Sequence, residues 1–353
     1  MAIHFSMDQM KKTLDNHDLW WAGKLDRPLA AVTITDAYER RNTKAPVLSQ
    51  ANCTDFSHSP EELIDALDAE LSACEFLGDA FPMVNFDSFG PGVLAAMCGA
   101  RLDNSSGRVW FWPDEEKEIG DIHVKYDPDN IWSKRIKDIY KAGLQRWQGL
   151  VLMGFPDLGG VLDVAATFRG TENLLIDMLD EPEEVARLSR EIEIAWREAY
   201  EDFRSVLAPQ GAYTSWSGLA GRETNYIVQC DVSYMISNRM FNEFVLDTIR
   251  NDTGILKNTI YHLDGVGELN HLDSLLTLKD LNAVQWQFGD GKPGPMSWLD
   301  VYRKILDAGK GIMIEGNAND YISAVNTLHG SPYFRTSMLS KDKTLACKVV
   351  EAR

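Results

Sequence analysis

His262 and Asp264, two residues apart in Tyr261-His262-Leu263-Asp264-Gly265, are the pair in this sequence that most plainly offers chemistry. Alternate residues of a strand project to one face, so an imidazole and a carboxylate would stand side by side there. Gly265 lets the chain turn away without a side chain over them. Such a pair can give two ligands of a zinc ion, a general base held by an acid, or a loop-steadying contact. The residue types leave all three open. A zinc site needs at least a third donor, and Cys230 is the candidate, because it ends the strand expected beside that of His262. Within Gln229-Cys230-Asp231 only one of Cys230 and Asp231 can face inward.

Asp87 and Asp157 each follow an apolar run and precede a glycine-rich turn, in Asn85-Phe86-Asp87 and Gly154-Phe155-Pro156-Asp157. Either suits proton transfer or substrate positioning, and either suits an ordinary helix cap. Trp216 and Trp286 stand at strand ends, where an indole lines a pocket for a flat ligand or fills core. Glu315 ends a later strand. The expected catalytic residues are thus Asp87, Asp157 and His262, and the expected metal ligands His262, Asp264 and Cys230. Trp216, Trp286 and Glu315 are the expected substrate-binding residues.

These positions make sense only on a scaffold that gathers strand ends. Short β-rich runs at 28–35, 82–86, 149–154, 212–216, 226–230, 259–263, 283–288, 311–315 and 333–337 alternate with stretches of helical period. The later units recur roughly every 25 residues, which predicts an α/β fold, a single (β/α)8 TIM barrel. In such a barrel the site lies at the carboxyl ends of the strands, where all the candidates fall. Residues 1–26 read as an N-terminal helical extension that packs Trp20 and Trp21 on the barrel, which occupies 27–353. An inserted β-hairpin is expected from 108–112 and 122–126. Ser59-Pro60-Glu61-Glu62 marks a helix start, with Ser capping and Pro in the first turn.

Composition removes several function classes. The formal net charge of -18 and the absence of a basic run argue against a nucleic-acid partner. No apolar stretch approaches the ~18 residues of a membrane span. Five scattered cysteines without a CxxC pair do not make a disulfide framework. With no secretory signal at the N-terminus, the expected location is the cytoplasm. GxGxxG, Walker, GxSxG and HExxH patterns are all missing.

Three segments carry a family resemblance. They are Gly154-Phe-Pro-Asp-Leu-Gly-Gly-Val-Leu-Asp163, then Gln229-Cys-Asp-Val-Ser-Tyr-Met-Ile-Ser237 running into Met240-Phe-Asn-Glu-Phe-Val-Leu246, then Tyr261-His-Leu-Asp-Gly265. Together they resemble the uroporphyrinogen decarboxylase superfamily over about residues 25–340. That resemblance implies a (β/α)8 barrel and two kinds of activity. Some members decarboxylate porphyrinogens without a cofactor; others are zinc-dependent methyltransferases serving cobalamin on a separate corrinoid protein. The decarboxylases' Arg-Gln-Ala-Gly-Arg-Tyr segment is absent, its place taken by Val32-Thr-Ile-Thr-Asp-Ala-Tyr-Glu-Arg-Arg41. The methyltransferases' His-x-Cys becomes His262-Leu-Asp264, and their last cysteine has no counterpart in Tyr333-Phe-Arg-Thr-Ser-Met338. An anionic ligand is kept, but a harder one, which suits oxygen more than thiol substrates.

The resemblance therefore implies a zinc-dependent methyltransferase or demethylase that draws a methyl group from a small methylated molecule, such as an aromatic methyl ether. The acceptor would be cobalamin on a corrinoid partner, since this chain has no Asp-x-His-x-x-Gly segment to bind it. A homodimer is compatible with this reading. Porphyrinogen decarboxylation and a non-catalytic ligand-binding barrel stand as the alternatives.

Overall fold

The computed structural model of the chain describes residues 2–352. Its strands are β1 (Leu29–Ile34), β2 (Glu75–Gly78), β3 (Met83–Val84), β4 (Arg101–Asp103), β5 (Trp110–Trp112), β6 (Leu152–Met153), β7 (Tyr213–Thr214), β8 (Ala220–Gly221), β9 (Asn225–Gln229), β10 (Asn258–Asp264), β11 (Ala283–Gln287), β12 (Gly311–Ile314) and β13 (Tyr333–Met338). Seven of them hydrogen-bond in the order β2-β1-β13-β12-β11-β10-β9. Every pairing in that sheet is parallel except β1 with β2. Helices such as Pro182–Leu207, Leu299–Asp307 and Ala318–Val325 alternate with the strands. This is an α/β fold around a mostly parallel sheet.

The ladder does not close on itself. It ends at β2 on one side and β9 on the other, while β3 and β6 form a separate parallel pair. Single backbone bonds extend the curve past the ladder, from Gly154 N to Val84 O and from Phe155 N to Thr214 O, both 2.9 Å. The eight-stranded ring expected from the sequence is compatible with this path, but the continuous ladder counts seven strands. β3, β6 and β7 hold only two residues each, with Pro82 and Gly154 among the residues beside them.

One local expectation needs correcting. The inserted hairpin pairs β4 with β5 rather than 108–112 with 122–126. Asn104-Ser105-Ser106-Gly107 closes it locally, Gly107 taking φ 81° where a side chain would be strained. Residues 122–126 instead lie along the helix Pro182–Leu207, whose carboxylates satisfy them. Val124 N donates to Glu191 Oε2 (3.0 Å) and the Tyr126 hydroxyl to Asp202 Oδ2 (2.7 Å). Past β9 the chain forms two short helices, Asn238–Phe244 and Leu246–Ile255.

Strand alternation sorts the inner face of the sheet into layers. Near the amino ends lies an apolar floor of Ala31, Ile227, Ile260, Ala283, Met313 and Tyr333, packed against Trp20 and Trp21. Those two tryptophans end α1 (Met7–Trp21), which starts in a capping box built by Ser6 and Gln9. Trp20 Nε1 donates to Ser331 O at 2.6 Å and Trp21 Nε1 to Ala220 O at 2.9 Å. Burying each indole contributes about 2–3 kcal/mol, so α1 is fastened to the floor of the sheet. Two residues further along the same strands stand Thr33, Gln229, His262, Gln285, Glu315 and Arg335. The floor is apolar and the next layer is polar. No helix among the described residues is long and apolar enough to cross a membrane.

Candidate functional site

His262 sits in that polar layer, in parallel register with Gln229 on β9 and Gln285 on β11. Its Nδ1 lies 2.6 Å from Gln285 Oε1, and Gln285 Nε2 donates to Glu315 Oε1 at 2.5 Å. Because the amide nitrogen is committed to the Glu315 carboxylate, the amide oxygen faces the imidazole. Nδ1 therefore donates, and Nε2 keeps its lone pair for a metal or substrate. Trp216 packs edge-on against the ring, centroids 5.0 Å apart at 85°. The imidazole is held on two sides.

Asp231, His262 and Asp264 present one ligand atom each, all within 4.8 Å of one another. His262 Nε2 and Asp264 Oδ2 are 4.0 Å apart. A tetrahedral site with ~2.1 Å bonds has ligand separations of roughly 3.4 Å, so small rotations of the two carboxylates suffice. Burial and the Asp264 charge push the Asp231 carboxyl up to about 6. Two carboxylates converging on one imidazole nitrogen form an arrangement that a divalent cation neutralises. The set is nitrogen and oxygen without thiolate, which fits zinc with a water or oxygen ligand completing the shell.

Cys230 is not among these three residues. It lies fully within the core, where burial raises its thiol well above the usual range. The chain leaves strand geometry at Cys230 and enters a 3-10 turn, Asp231–Met235. Asp163 clamps that turn: its carboxylate accepts the N–H groups of Asp231 (3.1 Å), Val232 (2.9 Å) and Gly160 (3.2 Å). The turn brings Asp231 to His262 and leaves the thiol behind. The sequence allowed one inward residue of the two, and the structure selects the aspartate.

Asp264 is held from behind by Glu268, whose Oε2 accepts the Asp264 N–H at 3.0 Å. Glu268 is completely buried, and burial pushes its carboxyl up to about 9, against the pull of that N–H. Glu268→Ala removes the acceptor and opens a cavity, so a loss of about 2–4 kcal/mol is expected in urea unfolding. Glu268→Gln keeps an acceptor of the same size and should stay within about 1 kcal/mol of wild type. Equal losses in both variants would contradict this role.

The other expected residues divide. Asp157 is buried and structural in its contacts: Oδ1 accepts the Gly159 N–H (2.9 Å), and its carbonyl accepts those of Gly92 (3.1 Å) and Val93 (2.9 Å). It ties two glycine loops together, and burial pushes its carboxyl up to about 7. Asp87 opens outward on the 3-10 turn Phe86–Phe89, its N–H bonded to Asn85 Oδ1 (3.3 Å). Packing around it raises its carboxyl, with Arg335 and Arg108 opposing. Trp286 is wholly buried, one residue out of phase with Gln285, and packs T-shaped on Trp298 at 5.3 Å. Glu315 acts on His262 through Gln285, while Trp216 touches the ring directly.

Sequence reasoning passed over Gln285, Asp163 and Glu268. Only Gln285 left a signal, as a polar residue at an inward position of the strand Ala283–Gln287.

No family model matches the chain, and no curated protein sequence does. Among solved structures, a methyltransferase from Methanosarcina mazei superposes with a TM-score of 0.56, over 88% of this chain and 93% of that one. Sequence identity across the match is 10%. The likeness is one of fold.

Proposed function

We propose that this chain is a zinc-dependent methyltransferase of the uroporphyrinogen decarboxylase superfamily, a (β/α)8 barrel that moves a methyl group from a small methylated donor to cobalamin on a corrinoid protein. The observation that carries the reading is the convergence of Asp231, His262 and Asp264 at the carboxyl ends of β9 and β10. A fold shared with a methyltransferase over most of both chains supports it.

Asp231 Oδ, His262 Nε2 and Asp264 Oδ would hold the metal. When bound, zinc supplies Lewis-acid polarisation of the donor oxygen. Gln285 and Glu315 fix the imidazole tautomer, so the ring needs no reorganisation when a ligand arrives. Trp216 walls one side of the ring and limits access by water. Asp163 and Glu268 hold the backbones of the two aspartates. As the methyl carbon leaves, the bonding pair stays on oxygen, which then takes up a proton. Asp157 keeps the glycine loops in place.

The test is a coupled assay. Zinc-loaded protein, a corrinoid protein, a reductant and a panel of methoxylated aromatics should give the methylcobalamin absorption spectrum with at least one donor. No methylcobalamin from any member of a broad panel would overturn the reading.

A further inference from the structure

Two other partly buried arginines of this chain are paired with carboxylates. Arg27 grips Asp79 with both terminal nitrogens (2.6 and 2.8 Å), and Arg169 grips Asp177 (2.6 and 3.2 Å). Arg335, half-buried on β13, is different. Its polar contact among the described residues is Nη1 to the Met83 thioether, 3.6 Å away. Glu315 and Asp87 attract it only from beyond contact distance. A guanidinium offers five N–H donors, and here nearly all of them lack a protein acceptor.

The space it faces is a cavity of about 400 Å³ whose lining includes Thr33, Phe81, Met83, Asn85, Gly218 and Arg335. Gly218, at φ 74°, brings bare backbone against the guanidinium; a Cβ there would fall 2.4 Å from Nη1. Two residues earlier, Trp216 Nε1 is a buried N–H with no hydrogen-bond partner. Arg335 shares the inner polar layer with His262, and Glu315 lies close enough to act on both.

We propose that this cavity is a carboxylate subsite, in which Arg335 takes a carboxylate of the substrate in a bidentate grip while Phe81 and Met83 cover its apolar body. The substrate is then a small monocarboxylic acid. A planar carboxylate matches the guanidinium fork. A phosphate dianion carries a second charge that the single guanidinium leaves uncompensated. The inference rests on the proposed function only in placing substrate at this end of the sheet.

Binding rather than turnover tests it. Calorimetric titration of the full chain should show benzoate binding at least about 30-fold tighter than its neutral isostere benzamide. It should also bind more tightly than phenyl phosphate. Arg335→Gln should erase the preference for benzoate while melting close to wild type, because no ion pair is lost. Should that variant fail to fold, Arg335→Lys carries the test; it keeps the charge but loses the fork, and must weaken benzoate more than benzamide. A preference that survives in Arg335→Gln overturns the proposal, as does equal weakening of both probes in Arg335→Lys. So does tighter binding of phenyl phosphate, or no carboxylate-dependent binding of benzoate or acetate in wild type. Benzoate selectivity in a protein that never forms methylcobalamin supports the subsite and sinks only the methyl-transfer reading.

Discussion

His262→Ala is expected to lose zinc and methyl transfer together, with turnover down at least about 100-fold, while its thermal midpoint moves little. The imidazole is the one nitrogen donor of the three, and its tautomer is set by two hydrogen bonds at 2.6 and 2.5 Å. Removing it leaves two carboxylates that cannot complete a tetrahedral shell. A merely structural histidine behaves differently. Its loss would strand the Gln285 amide oxygen, lower stability by ~1–3 kcal/mol and leave any metal in place. Metal content measured beside a melting curve separates the two outcomes. Zinc retained at normal turnover would remove His262 from the site.

Asp252→Asn is expected to stabilise the protein, increasingly so as pH rises. Asp252 lies on the helix Leu246–Ile255, 5% exposed, with Oδ1 lacking a partner. Burial pushes its carboxyl up to about 8, Glu193 adding to this and Arg197 opposing. The unfolded chain releases this proton near 4, whereas the folded chain holds it until about 8. Between those values the folded state binds the extra proton, so stability contributed here falls as pH rises and levels off above about 8. Asparagine does not titrate. The gap in urea-unfolding free energy between variant and wild type should therefore widen by roughly 2–4 kcal/mol from pH 5 to pH 8. A gap that stays constant with pH would show that Asp252 is not carrying a buried proton.

The sequence and the structure agree most where periodicity and layer logic act together. β10, β11 and β12 were legible because an apolar floor residue alternates with a polar one: Ile260 with His262, Ala283 with Gln285, and Met313 with Glu315 just past the end of β12. The pairing of His262 with Asp264 followed from period two alone. The third donor did not, because a 3-10 turn abolishes strand period at Cys230, and Asp163, which enforces that turn, lies 68 residues from Asp231. The burial of Trp286 was illegible for a simpler reason. A tryptophan near a strand end looks like a pocket wall until register shows which face it takes, and here it is the face opposite Gln285. The hairpin at β4 and β5 escaped because the partner of Trp110–Trp112 precedes it across a short turn, while the later apolar run is absorbed by a helix.

The central claim is that Asp231, His262 and Asp264, and not Cys230, hold a zinc ion. Zinc stoichiometry of the wild type, Asp231→Asn and Cys230→Ser after dialysis against a weak chelator tests it most directly. The account predicts full occupancy in wild type and Cys230→Ser, with severe loss in Asp231→Asn. Zinc lost from Cys230→Ser yet retained by Asp231→Asn, or absent from the zinc-loaded wild type, would contradict it.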